Sequence, residues 1–172
     1  MNFDFNRFVY ALVTSTTYGK WLPGDERGFV DGSEQNLYGT PCRKNEPELK
    51  RHAKDRMKDE PVFLNREQAE TVLAQWQKEV RKLGWHLFVV AVMSNHFHLV
   101  VAAPRDVDKA ALLNRFKTRA SFALNKQYGK RTWWTSSGSV RFSFDEPALQ
   151  ARINYVKNQE NPLVLWENSV PY

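Results

Sequence analysis

Two histidines one residue apart are the first feature of this sequence that could carry out chemistry. They are His96 and His98, in the stretch SNHFHLVV, and the chain has four histidines in all. Side chains two residues apart on a β-strand point to the same face, so a strand here places both imidazoles together and Phe97 on the opposite side. Two neutral imidazoles side by side can hold a divalent metal ion, although two hydrogen-bonded histidines without a metal are an equally good interpretation of this stretch alone.

A tyrosine and a glutamine further along the chain offer the remaining parts of a reactive site. Tyr155 and Gln159 are four residues apart in a stretch with helical periodicity, so they lie on one face of the predicted helix. A helix packed near the strand would bring a phenol and an amide oxygen to a metal held by His96 and His98. Such a metal polarises a phosphodiester, and the tyrosine can attack the phosphorus and form a covalent intermediate. Imidazole combined with oxygen ligands favours Mg²⁺ or Mn²⁺.

These two residues also have ordinary interpretations. Taken alone, a helical tyrosine such as Tyr155 is usually a packing residue, and the chain has six tyrosines. Gln159 alone would be a solvated surface amide. Their spacing, together with the upstream histidine pair, is what makes a shared site a hypothesis.

The elements that must position these residues predict an α+β fold. Residues rich in β-branched and aromatic types predict strands at Arg7–Tyr18, His86–Val92, His96–Ala103 and Ser139–Phe144. Apolar residues at helical spacing predict long helices at Arg66–Gly84, Asp106–Gly129 and Glu146–Glu160. The order is β, insertion, α, β, β, α, β, α. A βαββαβ order is the ferredoxin-like arrangement, an antiparallel sheet with helices on one face.

Helix ends and connections are also marked in the sequence. Asn65 followed by Gln68 forms a capping-box pattern, and Asp145 is expected to cap the helix that carries the tyrosine. The region from about 19 to 64 is too long for an ordinary connection and is expected to be an insertion, interrupted by a short charged helix around Glu48–Lys58. We find no internal repeat and predict one domain over residues 1–172.

Composition narrows the class of protein. Hydrophobic residues make up 42% of the 172 residues and charged residues 26%, as in ordinary globular domains. The single cysteine, Cys42, excludes an internal disulfide framework. No apolar run approaches the ~20 residues needed to span a bilayer, and the opening MNFDFNRFVY lacks the pattern of a signal peptide. We therefore expect a cytoplasmic protein, and the net charge of +6 favours a polyanionic partner.

Four stretches of the sequence resemble a known family. NHFHLVV resembles the histidine–hydrophobic–histidine signature of the HUH endonucleases, and INYVKNQENP resembles the tyrosine helix of their single-tyrosine transposases. The stretches TSTTYGKWLPGDERGFVDG and WWTSSGSVRFSFDE are similar to the REP-associated tyrosine transposases, relatives of the insertion-sequence-200 enzymes. The resemblance covers nearly the whole chain. Many relatives have MPNHVHLL where this chain has MSNHFHLV, so Ser94 replaces a turn proline and Phe97 is bulkier than usual.

The resemblance implies a function and a role for each residue. It makes His96, His98 and Gln159 the ligands of Mg²⁺ or Mn²⁺, and Tyr155 the nucleophile. It implies cleavage of single-stranded DNA near hairpin-forming repeats, with a 5′-phosphotyrosine link and a free 3′-hydroxyl. Insertion-sequence relatives work as dimers that exchange the tyrosine helix, whereas REP-associated ones resemble monomers, so both a monomer and a homodimer stay open.

Basic and aromatic residues suggest where the DNA could lie. Arg115 and Arg119 share one face of the second long helix, although a merely solvated amphipathic helix explains that pattern equally well. Given the resemblance, we expect DNA contacts from part of a set made up of Arg115, Lys117, Arg119, Lys126, Arg131, Trp133 and Arg141. Trp134, and Trp21 with Arg27 in the insertion, are further candidates.

Two other functions are compatible with these features. A plasmid replication initiator or relaxase would use the same chemistry but usually carries further domains. A non-catalytic nucleic-acid-binding module on a ferredoxin-like sheet is the alternative from another class, and such modules place aromatic residues on the sheet where this chain has histidines. Covalent, metal-dependent attachment to DNA distinguishes the enzymes from the binding module.

Overall fold

The chain forms a mixed sheet-and-helix structure whose elements follow the predicted order. A computed structural model describes residues 3–26 and 45–168, so the predicted candidate Arg27 and much of the insertion lie outside the described residues. The described elements are β1 (Phe8–Thr16), α1 (Pro47–Asp55), α2 (Arg66–Leu83), β2 (His86–Val92), β3 (His96–Pro104), α3 (Lys109–Tyr128), β4 (Ser139–Ser143), α4 (Glu146–Lys157) and β5 (Val164–Glu167).

The sheet confirms the ferredoxin-like prediction. Its strand order is β4-β1-β3-β2-β5, and every neighbouring pair is antiparallel. β2 and β3 form a hairpin, closed by a bond from the Met93 amide to the His96 carbonyl at 2.9 Å. β5 was not predicted, because four residues after Pro162 are too few to show a strand period. It extends the sheet along the outer edge of β2.

The helix starts are fixed by side-chain caps. The side chain of Asn65 accepts a hydrogen bond from the backbone amide of Gln68, and the side chain of Gln68 accepts one from the backbone amide of Asn65. The predicted capping box is therefore present at α2. The Asp108 carboxylate accepts from the Ala111 amide at 2.8 Å and starts α3. The Asp145 carboxylate accepts from the Ala148 amide at 2.7 Å and starts α4. These local bonds fix the residue at which each helix begins.

Helices cover both faces of the sheet. One core joins α2 and α3 to the sheet around three large rings, which belong to Trp76, Phe97 and Phe116. A second core lies on the opposite face, where Leu149 and Ile153 of α4 pack with the strand residues. The expectation of helices on one face therefore holds for α2 and α3 but not for α4. β1 and β3 are buried along most of their length, because both faces of the sheet are covered there.

Several boundaries differ from the sequence prediction by a few residues. β1 is shorter at both ends than the predicted strand, and β4 ends before the exposed Phe144. α1 begins at Pro47, as prolines are tolerated in a first turn. α4 ends at Lys157, so Gln159 lies just beyond the helix rather than within it. Within the described ranges, no helix is both long and apolar enough to cross a bilayer.

Candidate active site

β3 brings the two histidines together, as the strand period predicts. The ring centroids of His96 and His98 are 5.1 Å apart. Phe97 between them points to the other side, where it packs edge-on against Trp76 at 4.7 Å and Trp134 at 5.2 Å. The histidine pair therefore lies on the face of the sheet that α4 covers, and the burial of Phe97 fixes the orientation of the strand.

Each imidazole is held through its Nδ1 atom. The Nδ1 atom of His98 is 2.7 Å from the hydroxyl of Thr14, its neighbour across β1. The Nδ1 atom of His96 is 2.5 Å from the amide oxygen of Asn95. Because an amide oxygen only accepts, His96 donates its Nδ1 proton there, which leaves Nε2 with a free lone pair. This is the arrangement found in metal-binding histidines, whose second nitrogen is oriented by a hydrogen bond.

Both imidazoles are kept neutral by their surroundings. Burial, together with the smaller effect of charge on His96, lowers the pKa of His98 to about 4. Burial also lowers the pKa of His96. Neutral imidazoles are the form that binds metal ions. The geometry and the protonation state of the pair thus fit a divalent cation.

α4 places the predicted nucleophile beside this pair. The ring centroid of Tyr155 is 5.2 Å from that of His98, with the rings at 79°. Tyr155 is 49% exposed, whereas the neighbouring Ile153 and Val156 are buried and hold α4 on the sheet. The phenol is thus fixed next to the histidines and accessible to a substrate, and both come from the same chain.

Gln159 is near the site but is not shown in contact with the histidines. Its amide nitrogen donates to the carbonyl of Tyr155 at 2.9 Å, one turn back. In the part of the chain that the structure describes, no three His, Cys, Asp or Glu side chains cluster as a metal site. The role of Gln159 as a third ligand stays a prediction.

Two predicted DNA-binding residues lie away from this face. Arg115 and Arg119 of α3 bind the buried carboxylate of Glu79 on α2, at 2.8 and 3.2 Å. Since α2 and α3 pack on the face that receives Phe97, both arginines are separated from His98 by the sheet. Their shared helical face, which suggested a phosphate surface, is explained by an ion pair between helices.

Other members of the predicted set are also engaged within the protein. Lys117 is only 8% exposed, and its ammonium group donates to the carbonyls of Thr135, Ser136 and Ser137 at 2.5 to 3.4 Å. Burial lowers its pKa. Lys117 thus organises the loop before β4, and it does not present its charge to a ligand.

The aromatic and basic residues after α3 form a structural cluster. Trp133 is 2% exposed and donates from its indole to the side chain of Asn125 at 2.8 Å, so its ring is not available for stacking on a base. Arg131 lies over the Trp133 ring at 5.5 Å and donates to the carbonyl of Glu60 at 2.8 Å. Lys126 is exposed near the end of α3. None of these contacts reaches the histidine pair.

Arg141 is the member of the set that lies on the face of the candidate site. It is exposed on β4 opposite Leu12 of β1, two residues from the Thr14 that contacts His98. Arg152 of α4 lies beside it and was missed by the sequence analysis. The available signal was its position three residues before Tyr155, which places both on neighbouring parts of the helix surface.

The fold and this arrangement define a class of protein: a ferredoxin-like domain in which a histidine pair on a strand faces a tyrosine on a helix, as in HUH-type transposases. The family model described as "Transposase IS200 like" matches residues 47–159, and the chain belongs to that family.

A solved structure supports the fold assignment. The chain is similar to the structure described as "Structure of the REP associates tyrosine transposase bound to a REP hairpin", with a TM-score of 0.50 and 9% sequence identity. The likeness covers 91% of this chain and 69% of that one. No curated protein was found to match the chain.

Proposed function

We propose that this protein is a metal-dependent, single-tyrosine DNA endonuclease and strand transferase that acts on single-stranded DNA near hairpin-forming repeats. The observation that carries the proposal is the contact between Tyr155 and His98, next to a second neutral imidazole. Membership of the IS200-like transposases supports the reaction class. The hairpin bound by the similar solved structure supports the substrate.

The proposed metal site uses His96, His98 and the amide oxygen of Gln159. Thr14 and Asn95 hold the two rings so that their Nε2 atoms are the ones left for the ion. For Gln159 to join them, its side chain would have to leave the Tyr155 carbonyl. A bound Mg²⁺ or Mn²⁺ would make the phosphorus more electrophilic and stabilise charge on the non-bridging oxygens.

Tyr155 is the proposed nucleophile. Its oxygen forms a bond to phosphorus while the bond from phosphorus to the 3′-oxygen breaks. The phenolic proton is released, and the departing 3′-oxygen takes up a proton to become a free hydroxyl. The 5′ end stays on the tyrosine, and a later attack by a 3′-hydroxyl reverses the step and joins two strands without a nucleotide cofactor.

Positioning is the contribution of the fold to this step. An attacking oxygen must be held about 3–3.5 Å from phosphorus and in line with the leaving oxygen. Tyr155 is exposed enough to meet a substrate but is carried by a helix whose neighbouring residues Leu149, Ile153 and Val156 are buried. The sheet carrying the histidines and the helix carrying the tyrosine are thus locked together by one core.

The test is attachment of the protein to hairpin-containing single-stranded oligonucleotides taken from the flanks of its own gene. With Mg²⁺ or Mn²⁺ we expect an adduct that survives heat and detergent, and none with excess chelator. A non-catalytic binding module would bind the oligonucleotide and never become attached. Attachment in excess chelator would contradict the metal dependence.

A further inference from the structure

Two arginines lie together on the face of the sheet that carries the candidate site. Arg152 of α4 donates from Nη1 to the carbonyl of Arg141 at 2.6 Å and to the hydroxyl of Ser143 at 2.7 Å. These hydrogen bonds hold the guanidinium group of Arg152 against the edge strand β4. Arg152 precedes Tyr155 by three residues, which is close to one helical turn.

The register of the sheet puts Arg141 on the same side. Residues paired directly across antiparallel strands point to the same face. Arg141 pairs with Leu12, whereas Thr14 pairs with both Ser139 and His98. Arg141 is therefore two residues, or about 7 Å of strand, from the level of His98. Arg141, Arg152, His98 and Tyr155 therefore lie on the same side of the sheet.

The charges of these two arginines are only partly balanced by a carboxylate. Among the described residues, neither forms an ion pair, whereas Arg115 and Arg119 on the other face share Glu79. Burial lowers the pKa of Arg152, and the charge of Arg141 lowers it further, with only partial compensation from Asp145. That carboxylate already accepts from the first turn of α4. Two cations on one side of the sheet, close enough to repel each other, favour an anion beside them.

We propose that Arg141 and Arg152 together bind a backbone phosphate of the DNA strand, next to the phosphate that Tyr155 attacks. The guanidinium group matches phosphate oxygens with paired hydrogen bonds. Arg152 uses Nη1 to hold β4, which leaves its other nitrogens for the phosphate. A strand held there is anchored within reach of both Tyr155 and His98. This inference rests on the proposed function and adds a residue, Arg152, to its substrate site.

The first experiment measures binding in a protein that cannot react through Tyr155. In a Tyr155→Phe background, affinity for a short oligothymidylate is measured over a series of salt concentrations. We expect Arg141→Gln and Arg152→Gln each to weaken binding and to reduce the slope of log K against log salt by about 0.7, the value for one phosphate contact on a single strand. Because both arginines share one phosphate, the double variant should lose less slope and less affinity than the two single variants added together.

The matched control is Arg119→Gln, which removes an arginine from the opposite face of the sheet. It should leave the slope unchanged, and an equal loss of slope would overturn the proposal because it would indicate only a diffuse effect of charge. Arg141 makes no side-chain hydrogen bond within the described residues, so its substitution is not expected to disturb folding. Arg152→Lys keeps the charge but not the paired hydrogen bonds, and it should restore the slope while binding stays weaker.

The results distinguish a failure of the phosphate-site proposal from a failure of the nuclease proposal. If the unmodified protein forms no adduct but both arginine variants lower the slope, the phosphate site stands and the nuclease proposal fails. If the adduct forms and both variants bind like their parent at every salt concentration, the phosphate site is wrong and the nuclease proposal stands.

Discussion

The ring of Tyr155 lies edge-on against the imidazole of His98, with the ring centroids 5.2 Å apart. The two residues come from α4 and β3, and the core formed by Leu149, Ile153 and Val156 holds these elements together. A nucleophile and a metal-binding imidazole in contact within one chain are the requirement of the proposed reaction.

The histidine pair is predicted to be essential for metal binding and cleavage. His96→Ala removes one of two adjacent imidazoles, so it should abolish both activities while DNA binding stays mostly intact. Mn²⁺ titration followed by calorimetry, together with the adduct assay, measures the two effects. The control is His52→Ala, which removes an exposed histidine of α1 and should change neither. Full cleavage by His96→Ala would contradict the metal role.

Thr14 is predicted to tune the metal site from β1. Thr14→Val keeps the shape of the side chain and removes the hydroxyl 2.7 Å from His98 Nδ1. Loss of such an orienting bond typically costs about 10–100-fold in metal affinity. The same Mn²⁺ titration should show this loss with an unchanged circular dichroism spectrum. Thr71→Val on α2, on the other face of the sheet, should bind Mn²⁺ like the parent; equal weakening in both would point to a general loss of stability.

Acid is predicted to destabilise the fold through histidines that are buried or half-buried. Burial lowers the pKa of His86 to about 4, against 6.5 in an unfolded chain. The unfolded chain therefore binds a proton more readily, and stability present above pH 6.5 is lost as the pH falls towards 4. Urea unfolding of metal-free protein should show this loss between pH 7 and pH 5, and His86→Gln should reduce it. His96 and His98 contribute in the same direction, so part of the loss should persist.

The control for the acid prediction is His52→Gln, which replaces an exposed histidine. Its loss of stability between the two pH values should equal that of the parent. If His86→Gln also matches the parent, His86 does not couple folding to protonation.

The ion pairs of Glu79 are predicted to matter for stability rather than for DNA. Glu79→Gln removes the buried charge that neutralises Arg115 and Arg119, and because these arginines are partly exposed we expect a loss of only about 1–2 kcal/mol. Urea unfolding measures that loss. Arg66→Gln, which breaks an exposed pair with Glu70, should cost under about 1 kcal/mol. If Glu79→Gln changes the slope of log K against log salt for DNA binding, Arg115 and Arg119 contact the DNA, which would contradict this prediction.

Local patterns made the histidine pair and the order of elements predictable. The period of two that unites His96 and His98 depends only on their strand, and the caps at Asn65 and Asp145 depend on neighbours three residues away. The nearness of Tyr155 to His98 is a long-range contact that periodicity alone does not provide. The spacing of Tyr155 and Gln159 made that contact a hypothesis, and the resemblance to a family strengthened it.

The partners of the basic side chains could not be predicted from the sequence, because they depend on which face of the sheet each helix covers. Arg115 and Arg119 have the spacing of a phosphate surface, but their partner Glu79 lies on another helix and is invisible to helical periodicity. Lys117 is charged yet buried, because three loop carbonyls satisfy its ammonium group. Arg152 lies beside Arg141 because α4 packs against the edge strand β4, a contact between elements that the sequence pattern does not reveal.

The most direct test of the central claim is adduct formation by Tyr155→Phe, compared with the parent and with Tyr128→Phe. Tyr155→Phe removes one oxygen from a half-exposed side chain, so the protein should stay folded and bind both Mn²⁺ and hairpin oligonucleotides. Tyr128 lies at the end of α3, where its hydroxyl is 3.3 Å from that of Thr71. We predict an adduct with the parent and with Tyr128→Phe, and none with Tyr155→Phe. Cleavage and covalent attachment by Tyr155→Phe would contradict the account.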